Sequence, residues 1–261
     1  MAGALIVEDV GKSFATGDGP VVALDGISFD VASGEFLSVI GPSGCGKSTL
    51  FGIIGGLIAP DRGRVLVDGA PVSGVHTDIG MVFQEESTFP WRSAIENVAF
   101  PLEVRGVPKS ERLQKARELL RLVGLEGFER RYPAQLSGGM RQRTAIARTL
   151  AAKPKILLMD EPFASLDEQT RLLLGDKLLQ IWRTLQQTTL LVTHNITEAV
   201  QLSDRVLVMT YRPGRVRRIV KIDLPRPRSS EILGSAEFGR LVGAIWSDLR
   251  EEAMRGMTDG S

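Results

Sequence analysis

The sequence predicts an α/β fold in which parallel strands carry a glycine-rich loop, antiparallel strands come first, and a helical segment is inserted. Three observations lead there. The apolar run Phe36-Leu37-Ser38-Val39-Ile40 leads into Gly41-Pro42-Ser43-Gly44-Cys45-Gly46-Lys47-Ser48-Thr49 and then into Leu50-Phe51-Gly52-Ile53-Ile54, a succession of strand, loop and helix. Short apolar runs ending on polar groups recur at 79–84, 155–161 and 190–194. From residue 85 to about 153 the strand pattern stops and helical spacing takes over.

The elements follow in order. Leu5, Val7 and Val10 alternate with polar neighbours, a Gly/Asp/Pro turn covers 17–20, and alternation resumes over 21–31, so the chain begins as antiparallel strands. Phe14 stands just before that turn, either as a core residue or as a ring to stack on adenine. Residues 60–63 form a turn and 65–69 a short strand, and the run at 79–83 ends on Gln84. Leu113, Ala116, Leu120 and Val123 share one face of a helix over 110–123. A second helix over 138–150 opens from Ser137-Gly138-Gly139. The buried strand at 155–161 places Asp160 and Glu161 at its C-terminal end, where open parallel sheets bind ligands. A helix over 168–186 has Leu172, Leu173, Leu179 and Trp182 among its apolar positions. The strand at 190–193 ends on His194, and strands at 206–209 and 216–222 finish the sheet. Residues 225–230 read as a linker, 231–255 as an amphipathic helix, and the glycine-bearing tail is expected to fray.

Composition sets outer bounds. With 261 residues and 43% hydrophobic content the chain can bury a large core, as one large α/β domain or two. No basic segment followed by a long apolar stretch opens the sequence, and no apolar run approaches the roughly 20 residues of a membrane span, so a soluble chain is expected. The single cysteine, Cys45, leaves no internal disulfide or cysteine-based zinc site, which suits a reducing cytosol. A net charge of +1 gives no general reason to bind nucleic acid or lipid.

The loop at 41–49 carries the chemistry. Its glycines let successive N–H groups turn around an anion, and the helix N-terminus adds partial positive charge, which reads as nucleotide binding. Lys47 is placed to reach the β- and γ-phosphates, and the Ser48 hydroxyl to ligate Mg²⁺. Adjacent carboxylates at a strand end point to opposite sides, so Asp160 is the metal acid and Glu161 the group that polarises the attacking water. The plainer alternative is a pair of acids capping the turn before Pro162. Cys45 has no base beside it and is no nucleophile; a bulky adduct on its thiol is expected to obstruct phosphate binding. His76, in an apparent loop, has no assigned role.

Together these residues resemble the ATPase subunits of ATP-binding cassette (ABC) transporters. The resemblance rests on the phosphate loop, Gln84, Leu136-Ser137-Gly138-Gly139-Met140-Arg141-Gln142-Arg143, Asp160-Glu161, Ser165-Leu166-Asp167 and His194, and it covers roughly residues 5–224. It implies a P-loop NTPase with a RecA-like core sheet, an N-terminal antiparallel β subdomain and an inserted α-helical subdomain. The ATPase domain is expected over 1–229, with its core at 1–88 and 153–229 and the helical subdomain at 89–152, followed by an extension at 230–261. The family uses ATP and Mg²⁺, and pairs two cassettes head to tail. Leu136, Ser137, Gly138, Gly139 and Met140 of one subunit then cap the γ-phosphate held by the other. The resemblance also gives His194 a hydrogen bond to the γ-phosphate, Ser165, Leu166 and Asp167 a place at the interface, and Gln84 the sensing of Mg²⁺ and water. Two departures stand out: Met140 replaces the commoner glutamine, and Phe14 the usual adenine-stacking tyrosine.

Residues 84–92 with Pro90-Trp91, Arg212-Pro213-Gly214-Arg215 and residues 223–228 are similar to the nitrate, aliphatic sulfonate and taurine importer subgroup. The implied partners are a second copy or a paralogous ATPase, two membrane permease subunits, and a periplasmic or lipid-anchored solute-binding protein. The implied place is the cytoplasmic face of the inner membrane, with no nucleic acid bound. A non-transport ABC ATPase acting on nucleic acid or ribosomes is the alternative. It is disfavoured because the chain has neither a second cassette nor a long heptad insertion. The basic run at 212–221 is expected to be a solvated strand-turn-strand.

Overall fold

The structure, a computed structural model, describes residues 2–17, 19–84, 87–164 and 166–258. The N-terminal alternation produces an antiparallel sheet. β1 (Leu5–Thr16) lies between β2 (Gly19–Val31) and β4 (Arg62–Val67), and β5 (Ala70–Pro71) completes the order β2-β1-β4-β5.

The second sheet has the order β10-β9-β3-β8-β7-β6, where β3 is Phe36–Ile40, β6 Ile79–Val82, β7 Ile156–Asp160, β8 Thr188–Val192, β9 Arg205–Met209 and β10 Val216–Lys221. All its neighbours pair in parallel except β9 with β10. Strands of such a sheet are covered on both faces, and so read as unbroken apolar runs. In β7, Ile156 and Leu158 join a core shared with the antiparallel sheet and α1 (Lys47–Ile54), whereas Leu157 and Met159 face the helices.

The inserted segment folds as α2 (Ala94–Val104), α3 (Lys109–Leu122) and α4 (Gly138–Ala151), with Val98, Leu120 and Ile146 in one core. Ser93 and Glu96 form a capping box that starts α2. α5 (Glu168–Leu185) starts at the Asp167 cap and buries Leu174, Leu178 and Ile181. Leu173, counted among the apolar positions of this helix, points outward and is 69% exposed. α6 (Ile196–Leu202) and α7 (Ala236–Thr258) close the far edge, with Phe238, Ile245 and Leu249 packed on Ile40, Ala199, Val206 and Val208. No helix among the described residues is long and apolar enough to cross a membrane.

One expectation is corrected. Residues 225–230 are a docked strap, not a linker. Arg228 is buried and donates to the carbonyls of Val200, Ser203, Ile222 and Leu224. Arg226 pairs with Asp204 at 2.7 Å and lies 4.2 Å from the Trp182 ring centroid, and Ser230 bonds Asp176 through both N and Oγ. The basic run is the expected solvated strand-turn-strand, with Arg212, Arg215, Arg218 and Lys221 exposed, and it carries ion pairs. Arg217 pairs with Asp248, Glu251 and Glu252 of α7, Arg218 with Asp248, Arg215 with Asp25, and Lys221 with Asp223. The tail at 259–261, expected to fray, lies outside the described residues.

Candidate nucleotide site

β3 delivers the chain into residues 41–46, and α1 begins at Lys47. Gly44 and Gly46 have φ of 73° and 97°, the left-handed region that glycine enters without steric cost. At Gly46 the lack of a side chain is also a matter of space, because a Cβ would lie 2.7 Å from Leu24 Cδ2 and 2.9 Å from the Ala23 carbonyl. Lys47 is 7% exposed, and its Nζ donates to the Gly41 and Pro42 carbonyls at 2.9 Å each. The loop and α1 thus form one wall of a cleft of about 500 Å³, with Ser43, Gly44, Ser48 and Thr49 along it and Phe14 on another side. Phe14 is 40% exposed with Lys12 Nζ 5.7 Å from its ring centroid, so the core-packing alternative for it is set aside.

The C-terminal ends of β6, β7 and β8 are neighbours, and each supplies polar side chains. Gln84 follows β6, Asp160 ends β7 with Glu161 next, and His194 comes just after β8. Glu161 Oε2 accepts from Gln84 Nε2 at 3.5 Å and lies 3.1 Å from His194 Nδ1. The Glu161 carboxylate is therefore the junction of the three, and it also lines the cleft beside Lys47. The two acids diverge for a different reason from the one expected. The strand stops at Asp160, and Glu161 leaves it in a left-handed conformation, φ 44°, with its N–H on the Val192 carbonyl at 2.9 Å.

The Ser48 hydroxyl stands beside Asp160 and favours its charged form. Its Oδ1 is buried without a protein partner, and burial pushes its carboxyl above the usual range while Ser48 pulls it down. A hydroxyl and a buried, unsatisfied carboxylate oxygen form a donor set that suits a small hard cation. No cluster of three or more His, Cys, Asp or Glu able to hold a metal occurs among the described residues. Magnesium at a phosphate loop needs none, since phosphates and water complete its shell.

The other expected residues lie elsewhere. Ser137 caps α4, accepting from Met140 N at 3.3 Å, and is itself exposed, while Leu136 is buried beneath it. Gly138 opens the helix, and Gly139 packs where a Cβ would meet Leu166, Thr170 and Leu174 at ordinary contact distance. None of residues 136–140 lines the cleft that holds Lys47. Met140 and Leu166 lean on the helical core. Asp167 caps α5, and the hydrogen bonds from Thr170 hold its carboxyl below the usual range. Ser165 lies outside the described residues, as do Glu85 and Glu86. Trp91 is 71% exposed and touches Phe89 of the same loop, with ring centroids 5.6 Å apart.

Cys45 is hard to reach. It is fully buried under the loop, with Sγ 3.9 Å from Lys47 Nζ, and burial pushes its thiol up. Neither access nor thiolate favours an adduct in the folded protein.

Two residues escaped the sequence reading. Arg212 Nε donates to the Gly44 carbonyl at 2.9 Å, and the side chain lines the cleft. Glu198, in the first turn of α6, is buried, accepts from the Thr193 hydroxyl, and has its carboxyl pushed by burial up to about 7. The spacing Asn195-x-x-Glu198 is a helix-start pattern that could have found Glu198; the structure shows Asn195 Oδ1 accepting from Glu198 N at 3.0 Å. Arg212 stood out in sequence only as part of the 212–215 segment and the basic run, and no local signal points it at the phosphate loop.

Residues 24–164 match the family model described as ABC transporter. The chain is 52% identical over 253 residues to an uncharacterized ABC transporter ATP-binding protein of Methanocaldococcus jannaschii, covering 97% of this chain and 94% of that one. It is 44% identical over 252 residues to a nitrate import ATP-binding protein of Synechocystis, covering 94% and 95%. A taurine import ATP-binding protein of Burkholderia pseudomallei is 45% identical over 222 residues, covering 85% of each. Among solved structures, a dimeric post-hydrolysis state of an ATP-binding cassette bound to ADP and Pi is similar with a TM-score of 0.75 and 34% identity, over 85% of this chain and 100% of that one. With the glycine loop and Glu161 in one cleft and His194 3.1 Å from that carboxylate, the chain belongs to the ABC transporter family as one of its ATP-binding ATPase cassettes.

Proposed function

We propose that this chain is the ATP-hydrolysing subunit of an importer for nitrate, a sulfonate, taurine or a similar small solute. The observation that carries the hydrolytic part is the meeting of Gln84 and His194 on the Glu161 carboxylate at the cleft of Lys47. The importer part is supported by relatives named for nitrate and taurine import and by the exposed Pro90-Trp91 segment.

In this reading residues 41–49 wrap the phosphates, with Lys47 leaving the Gly41 and Pro42 carbonyls for the β- and γ-phosphates. Phe14 stacks on adenine. Ser48 and Asp160, with Gln84, would hold Mg²⁺, whose charge offsets that of the triphosphate. Glu161 orients the attacking water and takes up its proton on its carboxylate, while His194 donates to the γ-phosphate. The water is positioned only if Gln84 and His194 hold the carboxylate still.

Exposed Ser137, with Gly138 and Gly139 behind it, opens a helix N-terminus, an anion-binding end that does not line the cleft of its own chain. We assign it, with Leu136 and Met140, to the γ-phosphate of a second copy or a paralogous ATPase, and Ser165, Leu166 and Asp167 to the same interface. The division into an ATPase core at 1–88 and 153–229, a helical unit at 89–152 and an extension from 230 belongs to this proposal. So do the peripheral place on the cytoplasmic face of the inner membrane, the two permease subunits and the solute-binding protein.

The test is Glu161→Gln, which keeps the shape and a hydrogen-bonding side chain but removes the base. ATP binding is expected to persist while turnover falls by two orders of magnitude or more, on the order of general-base catalysis. Phosphate release near the wild-type rate would remove Glu161 from the mechanism.

A further inference from the structure

One cation of the cleft has no role in the reading above. Arg212 stands in the turn between β9 and β10, and its Nε–H is engaged by the Gly44 carbonyl at 2.9 Å. A Cβ on Gly44 would lie 3.1 Å from Arg212 Nη2, so the guanidinium rests against the backbone of the phosphate loop. The same side chain lines the cleft with Ser43, Lys47 and Phe14.

Its neighbours in the basic run set it apart. Arg215, Arg217, Arg218 and Lys221 each pair with a carboxylate. Arg212 has no carboxylate partner among the described residues, and its terminal N–H groups are left for another acceptor.

The turn that presents it is fixed from three directions. Gly214 N donates to the Ala23 carbonyl at 2.9 Å, and the Gly214 carbonyl accepts from Asp25 N at 3.0 Å, which ties the turn to β2. A Cβ at Gly214 would collide with the Cys45 carbonyl, so the turn meets the phosphate loop backbone to backbone. Tyr211 N donates at 3.0 Å to Oε2 of Glu252, a buried carboxylate of α7. An arginine rooted this firmly, with its fork unpaired, is preorganised for an anion.

We infer that Arg212 is a further nucleotide-binding residue, engaging the phosphate chain through its guanidinium, and that α7 holds the presenting turn through Glu252. The inference rests on the cleft being the ATP site. The competing explanation is that Arg212 only braces the loop through Gly44.

The experiment measures ATP affinity of the full chain at low and high salt for wild type, Arg212→Gln, Arg212→Lys and Lys47→Ala, alongside thermal unfolding without nucleotide. Arg212→Gln keeps a donor for the Gly44 carbonyl and loses the charge. It is expected to weaken ATP binding about tenfold or more at low salt, as for a lost charged hydrogen bond, with a smaller deficit at high salt. Arg212→Lys should recover part of the affinity, and unfolding should not move. Wild-type affinity in Arg212→Gln, or a salt-independent loss that tracks a lowered unfolding temperature, overturns the inference. If wild type binds ATP and Lys47→Ala weakens it while Arg212→Gln does not, the inference alone falls. If wild type and Lys47→Ala are alike in failing to bind, the cleft reading falls and takes the inference with it.

Discussion

Glu198 is an acid whose proton is decided by its surroundings. Burial holds its carboxyl at about 7 in the fold against 4.5 when unfolded, so over that interval the folded chain keeps a proton that the unfolded chain releases. The folded state binds more protons there, and stability contributed by this group falls as pH rises from about 4.5 to 7. Glu198→Gln, which mimics the protonated form, should lose that slope and exceed wild type at pH 8 by on the order of 2–3 kcal/mol. Urea unfolding at pH 5 and pH 8 measures it, and an equal loss of stability at both values would count against the assignment. Residues at strand ends were legible in the sequence because each motif lies within a few positions of its strand, as with Gln84, Asp160, Glu161 and His194. Arg212 was not, since its partner Gly44 is 168 positions away and only the sheet order brings β9 beside β3. The burial of Cys45 was not legible, because sequence names the loop position and not the side that faces inward.

At the scale of elements, periodicity found the longer strands and helices but not α6, and composition misled where it imitated a connector. Residues 225–230 combine proline, arginine and serine, the usual make-up of a linker, yet Arg228 is sunk against backbone carbonyls at the edge of α6. Burial lowers its guanidinium to about 10, so it stays charged at neutral pH and is satisfied by carbonyl oxygens instead of an acid. Arg228→Met should strand those carbonyls and cost on the order of 3 kcal/mol or more, read as a fall in unfolding temperature. Arg228→Lys should recover little, because an ammonium cannot span the same acceptors as the planar fork. Stability equal to wild type in either variant would show the strap to be a passive connection. Leu173 teaches the converse: one residue along the helix from buried Leu174, it shows that an apolar letter alone does not give the face.

For the molecule as a whole, the two halves of the proposed reaction chamber sit apart, since residues 136–140 do not line the cleft of Lys47. In a head-to-tail pair they meet across copies. With Ser137→Cys in one copy and Ser43→Cys in another, both on the Glu161→Gln background, a short thiol cross-linker should join them only when ATP is present. Equal yield without ATP, or none with it, would exclude the pairing. The buried native Cys45 should contribute little to the reaction. The backbone of Glu161, at φ 44°, has a wider consequence. That conformation suits glycine or asparagine better than glutamate, and holding it costs about 1 kcal/mol or more. A laboratory selection for heat tolerance alone, with no demand on turnover, would therefore be drawn toward glycine at this position and would yield hardier but idle molecules.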